Sequence, residues 1–283
     1  MKGWRMIAVC LLSASLCGCG AAAPQPDITG GAGGTASPAA GGALPAEETP
    51  GDAVAETPLR ILFIGNSFTY RNDMPGMFAE LAEAAGYAAE VDSVFQGGCY
   101  FHDFTDPDNG LCRKIGELYE QAAYDVVFLQ EQSVQPLNDR EDFLENGALL
   151  AEQAALQGAR VILYQTWPYE EGSRMLEHVG YTYEEMYRGL QEAYRALAER
   201  TGAAVSPVGD AFYLASQQGE GALYDASDRY HPSERGSYLA ACVHFIAAFD
   251  APVTGNPFTG PLPADEAAAL QRVADACAER QSG

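Results

Sequence analysis

Three short stretches of this chain carry side chains able to make and break bonds. Ser67 stands in Gly65-Asn66-Ser67-Phe68-Thr69, directly after the apolar run Ile61-Leu62-Phe63-Ile64. A hydroxyl just past a buried strand can face a ligand, although serine there also serves as a helix cap. Gln96-Gly97-Gly98-Cys99 holds paired glycines, which either make a tight turn or let the backbone aim amides at a ligand. In Asp228-Arg229-Tyr230-His231-Pro232-Ser233, residues three apart share one side of a turn, so Asp228 can accept a hydrogen bond from the His231 ring. The other ring nitrogen is then left as a base. Pro232 suits the first position of a following helix, with His231 at its mouth. Each signal alone has a plain structural explanation. A serine together with a carboxylate-oriented histidine is the equipment of nucleophilic acyl transfer.

Positioning such groups requires a framework. Arg60–Gly65 holds a continuous apolar run, as in a strand buried on both faces. Met74, Phe78, Leu81 and Ala85 then repeat at helical spacing, with Gly86 as a stop. Further strands are predicted at 88–95, 125–129, 160–165 and 203–208. Helices are predicted at 112–123, 141–157, 182–201, near 233–249 and at 265–280. Five strands separated by helices mean a parallel sheet covered on both faces, with function gathered beyond the carboxyl ends of the strands.

The order Gly-Asn-Ser, Gly-Gly, Asp-x-x-His-Pro resembles the SGNH/GDSL hydrolase superfamily. Gly65–Thr69, Leu129-Gln130-Glu131-Gln132-Ser133, Gln165-Thr166-Trp167 and the run from His231 to Leu239 are similar to one bacterial branch of it, catalogued as a domain of unknown function. The likeness spans residues 59 to about 250. It implies a three-layer α/β/α sandwich, flavodoxin-like, with strand order 2-1-3-4-5. It also implies Ser67 as nucleophile, His231 as general base and Asp228 as the group that orients it, with the Ser67 and Gly98 amides in an oxyanion hole. Most of the superfamily has Gly-x-Asn-Asp after the third strand, the Asn amide being a further oxyanion donor. Here Gln130-Glu131-Gln132-Ser133 stands in its place; Gln130 is the favoured substitute donor and Gln132 the alternative. His102 and Trp167 are candidates to line the substrate pocket, against a loop histidine and a buried aromatic anchor. His178 and His244 receive no role.

The N-terminus reads as an address. Lys2 and Arg5 precede an apolar run from Met6 to Leu16, the layout of a secretory signal and short for a membrane span. Leu16-Cys17-Gly18-Cys19 resembles a bacterial lipobox, which implies cleavage of residues 1–18 and a lipid on Cys19. Residues 19–57 are rich in Ala, Gly and Pro without an aromatic or basic residue. They cannot bury enough apolar surface to fold and read as a tether for a domain at 58–283. The expected location is therefore exported and membrane-anchored.

The full chain of 283 residues carries a formal net charge of −23, which argues against nucleic acid and against docking on anionic lipid through basic patches. No protein partner is indicated. Cys99 and Cys112 flank a loop rich in Asp and Gly and are the pair expected to bridge, whereas Cys242 and Cys277 fall on apolar helical stripes where a thiol is as well placed as a bond. Without a Cys-x-x-Cys pair, structural zinc is not indicated. The run Asp106–Gly110 fails as a calcium loop because Gly110 is one place early and Arg113 and Lys114 intrude. The expectation is a cofactor-free serine esterase acting on carbohydrate O-acyl groups, acetyl first. The alternatives are a catalytically idle glycan binder of the same fold, or a lipase or thioesterase.

Overall fold

Ile61, Leu62, Phe63 and Ile64 are consecutive and each no more than 1% exposed. Successive strand residues point to opposite faces, so both faces of the sheet must be covered. The computed structural model describes residues 57–281. The expected signal at 1–18, the lipidated Cys19 and all but the last residue of the tether lie outside the described residues.

In chain order the elements are β1 (Leu59–Gly65), α1 (Ser67–Tyr70), α2 (Met74–Ala84), β2 (Ala89–Phe95), α3 (Phe101–Thr105) and α4 (Gly110–Gln121). There follow β3 (Val126–Leu129), α5 (Gln135–Asn138), α6 (Arg140–Leu156), β4 (Arg160–Tyr164), α7 (Arg174–Val179) and α8 (Tyr183–Thr201). The chain closes with β5 (Ala204–Ser206), α9 (Val208–Gln217), α10 (Glu234–Phe249) and α11 (Ala264–Gln281). All pairings are parallel, and the strand order is β2-β1-β3-β4-β5. This is the α/β arrangement expected from the resemblance. The chain leaves β1 first toward β2 and then toward β3, and the gap between their carboxyl ends is the natural place for a site.

Local chemistry accounts for the details. The strand predicted at 203–208 stops at Ser206, because Pro207 cannot donate to a ladder and Val208 already opens α9. The Pro232 position also differs: the cap of α10 is Ser233, whose hydroxyl accepts from the Gly236 amide, so the proline stands before the cap. The expected Cys99–Cys112 bridge is absent. All four cysteines among the described residues are free thiols, Cys99, Cys242 and Cys277 buried. No described helix is long and apolar enough to cross a membrane, and no group of three or more His, Cys, Asp or Glu able to hold a metal ion occurs among the described residues.

Candidate active site

The turn after β1 is built around Asn66. Its side chain caps α1 by accepting from the Phe68 amide at 3.2 Å and donates to Cys99 O at 3.0 Å. Gly65 is required because a side chain there would collide with Thr69 Oγ1 and Gln130 Oε1. The result puts Ser67 at the first position of α1, where the helix leaves its amides without internal partners. Beside it, Cys99 N–H donates to Gln96 O at 3.3 Å and closes a turn whose third residue, Gly98, has φ +73°. That backbone favours glycine.

The third piece arrives from the far end of the chain. Asp228 Oδ1 accepts the amides of Tyr230 and His231 at 3.2 and 3.0 Å, so the carboxylate folds its own turn. Arg229 in that turn is left-handed at φ +61°, a strained state for a residue with a side chain. Its guanidinium is held by Glu170 and by the carbonyls of Glu171 and Gly172. Asn72 bolts the two halves together, donating to Pro232 O at 3.0 Å and Ser237 Oγ at 2.9 Å.

These constraints align three side chains. Ser67 Oγ lies 2.8 Å from His231 Nε2, and His231 Nδ1 lies 2.7 Å from Asp228 Oδ2. With the Nδ1 proton shared with the carboxylate, Nε2 is free to accept from the serine hydroxyl. Burial pushes the His231 pKa below its usual 6.5; Asp228 opposes this and Arg71 adds to it. Burial alone would raise the Asp228 carboxyl, but the hydrogen bonds from the His231 ring, the His231 amide and the Tyr230 amide outweigh it and hold it low.

Arg71 Nη2 sits 3.3 Å from His231 Nδ1 and 3.7 Å from Asp228 Oδ2, and its Nη1 is 3.4 Å from Asp225 Oδ2. Together with Ser67, Tyr70, Gly98, Gln132 and Tyr230 it lines a cavity of about 290 Å³. Arg71, Tyr70 and Tyr230 were not singled out from the sequence, where only their nearness to Ser67 and His231 marked them.

Three expected site residues are placed elsewhere. Gln130, favoured as an oxyanion donor, is buried beneath the Asn66 turn. Its Oε1 accepts from Asn66 N and Thr69 Oγ1, and its Nε2 donates to Asn66 Oδ1 and Glu131 O. It has no amide to spare. Gln132 lines the cavity instead: its Oε1 accepts the amides of Val134 and Gln135, leaving Nε2 beside Ser133 Oγ at 3.3 Å. Trp167 is fully buried, stacked between Phe68 at 4.4 Å and Phe212 at 4.3 Å, so no ligand can reach its faces. His102 is exposed and paired with Asp142 at 3.0 Å, away from the cavity lining. Neither lines a substrate pocket.

No family model matches the chain, and no curated protein matches it either. Solved structures do. A protein of Slackia heliotrinireducens assigned to the SGNH hydrolases is 32% identical, with a TM-score of 0.60 over 67% of this chain and 98% of that one. A DUF4886 family protein of Bacteroides uniformis is 20% identical, with a TM-score of 0.70 over 80% of this chain and 97% of that one. An acetyl xylan esterase is 16% identical, with a TM-score of 0.54 over 68% of this chain and 100% of that one, a likeness of fold. On the strength of its identity to the first of these over nearly that protein's whole length, this chain belongs to the SGNH hydrolase superfamily.

Proposed function

We propose that this protein is a serine esterase that removes O-acyl groups, acetyl foremost, from carbohydrates. The observation that carries the reading is the continuous contact from Ser67 Oγ through both nitrogens of His231 to Asp228. Ser67 attacks the ester carbonyl carbon while its proton passes to His231 Nε2. The oxyanion that forms is met by the amides of Ser67 and Gly98 and by Gln132 Nε2, each such donor being worth about 10²–10³ in rate. His231 then gives the proton to the departing alcohol oxygen. Water, deprotonated by the same nitrogen, releases the acid from the acyl-serine. No cofactor enters this cycle.

The small cavity favours a short acyl group over a lipid chain. Tyr70 is shared with a neighbouring hollow lined by Phe95, Asp73, Asp92 and Ser93, with Phe95 41% exposed. Rings beside hydroxyl and carboxylate acceptors suit the alternating faces of a sugar. An acetyl xylan esterase among the structures of like fold accords with this choice. Cys19 would carry the lipid that anchors the exported enzyme to the membrane.

The test is release of acetate from p-nitrophenyl acetate and from acetylated xylan by wild type and Ser67→Ala. Loss of both activities in the variant is expected. Equal activity in the two proteins removes Ser67 as nucleophile, and an inactive wild type on a broad ester panel favours the glycan-binding alternative.

A further inference from the structure

Between the two glutamines lies a carboxylate that the reaction above does not use. Glu131 has no exposed surface. Its oxygens take the Phe101 amide at 3.0 and 3.1 Å, and Oε1 also takes the Gln132 amide at 2.6 Å. Phe101 opens α3, three residues after Gly98, and Gln132 faces the cavity. One side chain therefore grips both segments that carry the proposed oxyanion donors.

A carboxylate is a poor choice for filling this space. Taking it out of water is costly unless its lone pairs are satisfied, and apolar replacement of buried charged groups is often neutral or stabilising. A carboxylate accepts N–H groups from two different segments through charge-assisted bonds, which an apolar residue cannot do and an amide does only through its one uncharged oxygen. Building on the esterase reading, we infer that Glu131 is the positioning residue of the oxyanion hole, fixing Gly98 and Gln132 at their working separation. Asn66 holds the same segment from its other side through Cys99 O.

The groups facing Glu131 come from every neighbouring element: Cys99 and Asp103 near and on α3, Asp142 on α6 and Tyr194 on α8. Burial raises its pKa to about 8, the Gln132 and Phe101 amides pulling the other way and Asp142 and Asp103 adding to the rise. Ionisation near pH 8 thus makes the bonds from the Phe101 and Gln132 amides charge-assisted and tightens the clamp.

Steady-state kinetics of the full chain on p-nitrophenyl acetate, wild type against Glu131→Gln from pH 5 to 9.5, decide the matter. The glutamine amide turns a donor toward one of the two backbone donors. We expect kcat to fall about 10- to 100-fold with KM within twofold, and a second rise in wild-type kcat near pH 8 to vanish in the variant. An unchanged kcat overturns the role, as does a loss in kcat and KM together with that rise intact, which is the mark of general loosening. If Glu131→Gln does not fold, the wild-type profile decides: a rise near pH 8 supports the clamp. A flat wild-type profile from pH 7 to 9.5 overturns it in either case. A wild type that hydrolyses no ester overturns this role and the esterase reading together, whereas an active wild type with an unaffected variant overturns only the role of Glu131.

Discussion

Asn66 and Gln130 hold each other reciprocally: the Asn66 amide donates to Gln130 Oε1 at 2.9 Å, and Gln130 Nε2 donates to Asn66 Oδ1 at 3.0 Å. The residue before the serine is thereby locked to the end of β3. Gln130→Leu keeps the volume but strands the Asn66 amide and the Thr69 hydroxyl, at about 1–3 kcal/mol for each buried group left unpaired. Urea denaturation should register that loss. Esterase activity should fall at least tenfold because Ser67 moves with the turn.

The lowered His231 pKa sets the acid side of the rate profile. In the proposed reaction its neutral form is the base, so kcat/KM rises with pH through an ionisation below 6.5, separate from the further rise near pH 8 expected from Glu131. Asp228→Asn removes the carboxylate partner and should cost about 10²–10⁴ in kcat with little change in KM. Stopped assays across pH 4 to 7 measure both.

Trp167 behaves as structure. Trp167→Ala empties the space between Phe68 and Phe212 and frees Tyr230 O from its indole donor. Unfolding stability should drop by about 3–5 kcal/mol. Trp167→Phe should recover most of that loss, and its KM for acetylated xylan should match wild type.

Glu131 makes stability depend on pH in a definite direction. Its folded pKa of about 8 lies above the ordinary 4.5. The folded state therefore binds the proton more tightly, and the associated stability is present below pH 4.5 and lost as pH rises through 8. Glu131→Gln lacks this titration. Its urea midpoint should fall less between pH 5 and 9 than that of wild type.

The thiols offer a check on the absent bridge. Cys112 is partly exposed and the other three are buried. Burial raises Cys99 to about 11 and Cys277 to about 12, and pushes Cys242 higher still. Since thiolate is the reactive form, native titration of a fragment spanning residues 58–283 with a thiol reagent should show one fast group. Denaturation should release three more, and prior reduction should leave the melting temperature unchanged.

What could be read along the chain was what is local. Ile61–Ile64 spelled a doubly covered strand because four consecutive apolar residues have no other use beside a helix start. Asp228 and His231 were legible as a pair because one turn brings them together. The sequence favours Gln130 over Gln132 as the donor, yet it is Gln132 that lines the cavity, since both follow β3 and only the path toward α5 decides which amide meets it. Trp167 and His102 misled for a related reason: one sits in the loop after β4 and the other in α3, but ring direction depends on Phe212 in one case and Asp142 in the other, both distant in sequence. Glu131 gave no sign at all, because its partners are backbone amides.

Arg229 reaches from the strained turn beside His231 to the carbonyls of Glu171 and Gly172. The loop that follows β4 is therefore the outer abutment of the histidine, although it stands on a different part of the sheet. A lengthened or shortened loop there would release the turn and let the base drift off its serine. Lineages of this protein can remodel that rim of the molecule only by changing it in concert with Arg229, so divergence in the two places should travel as one inherited unit.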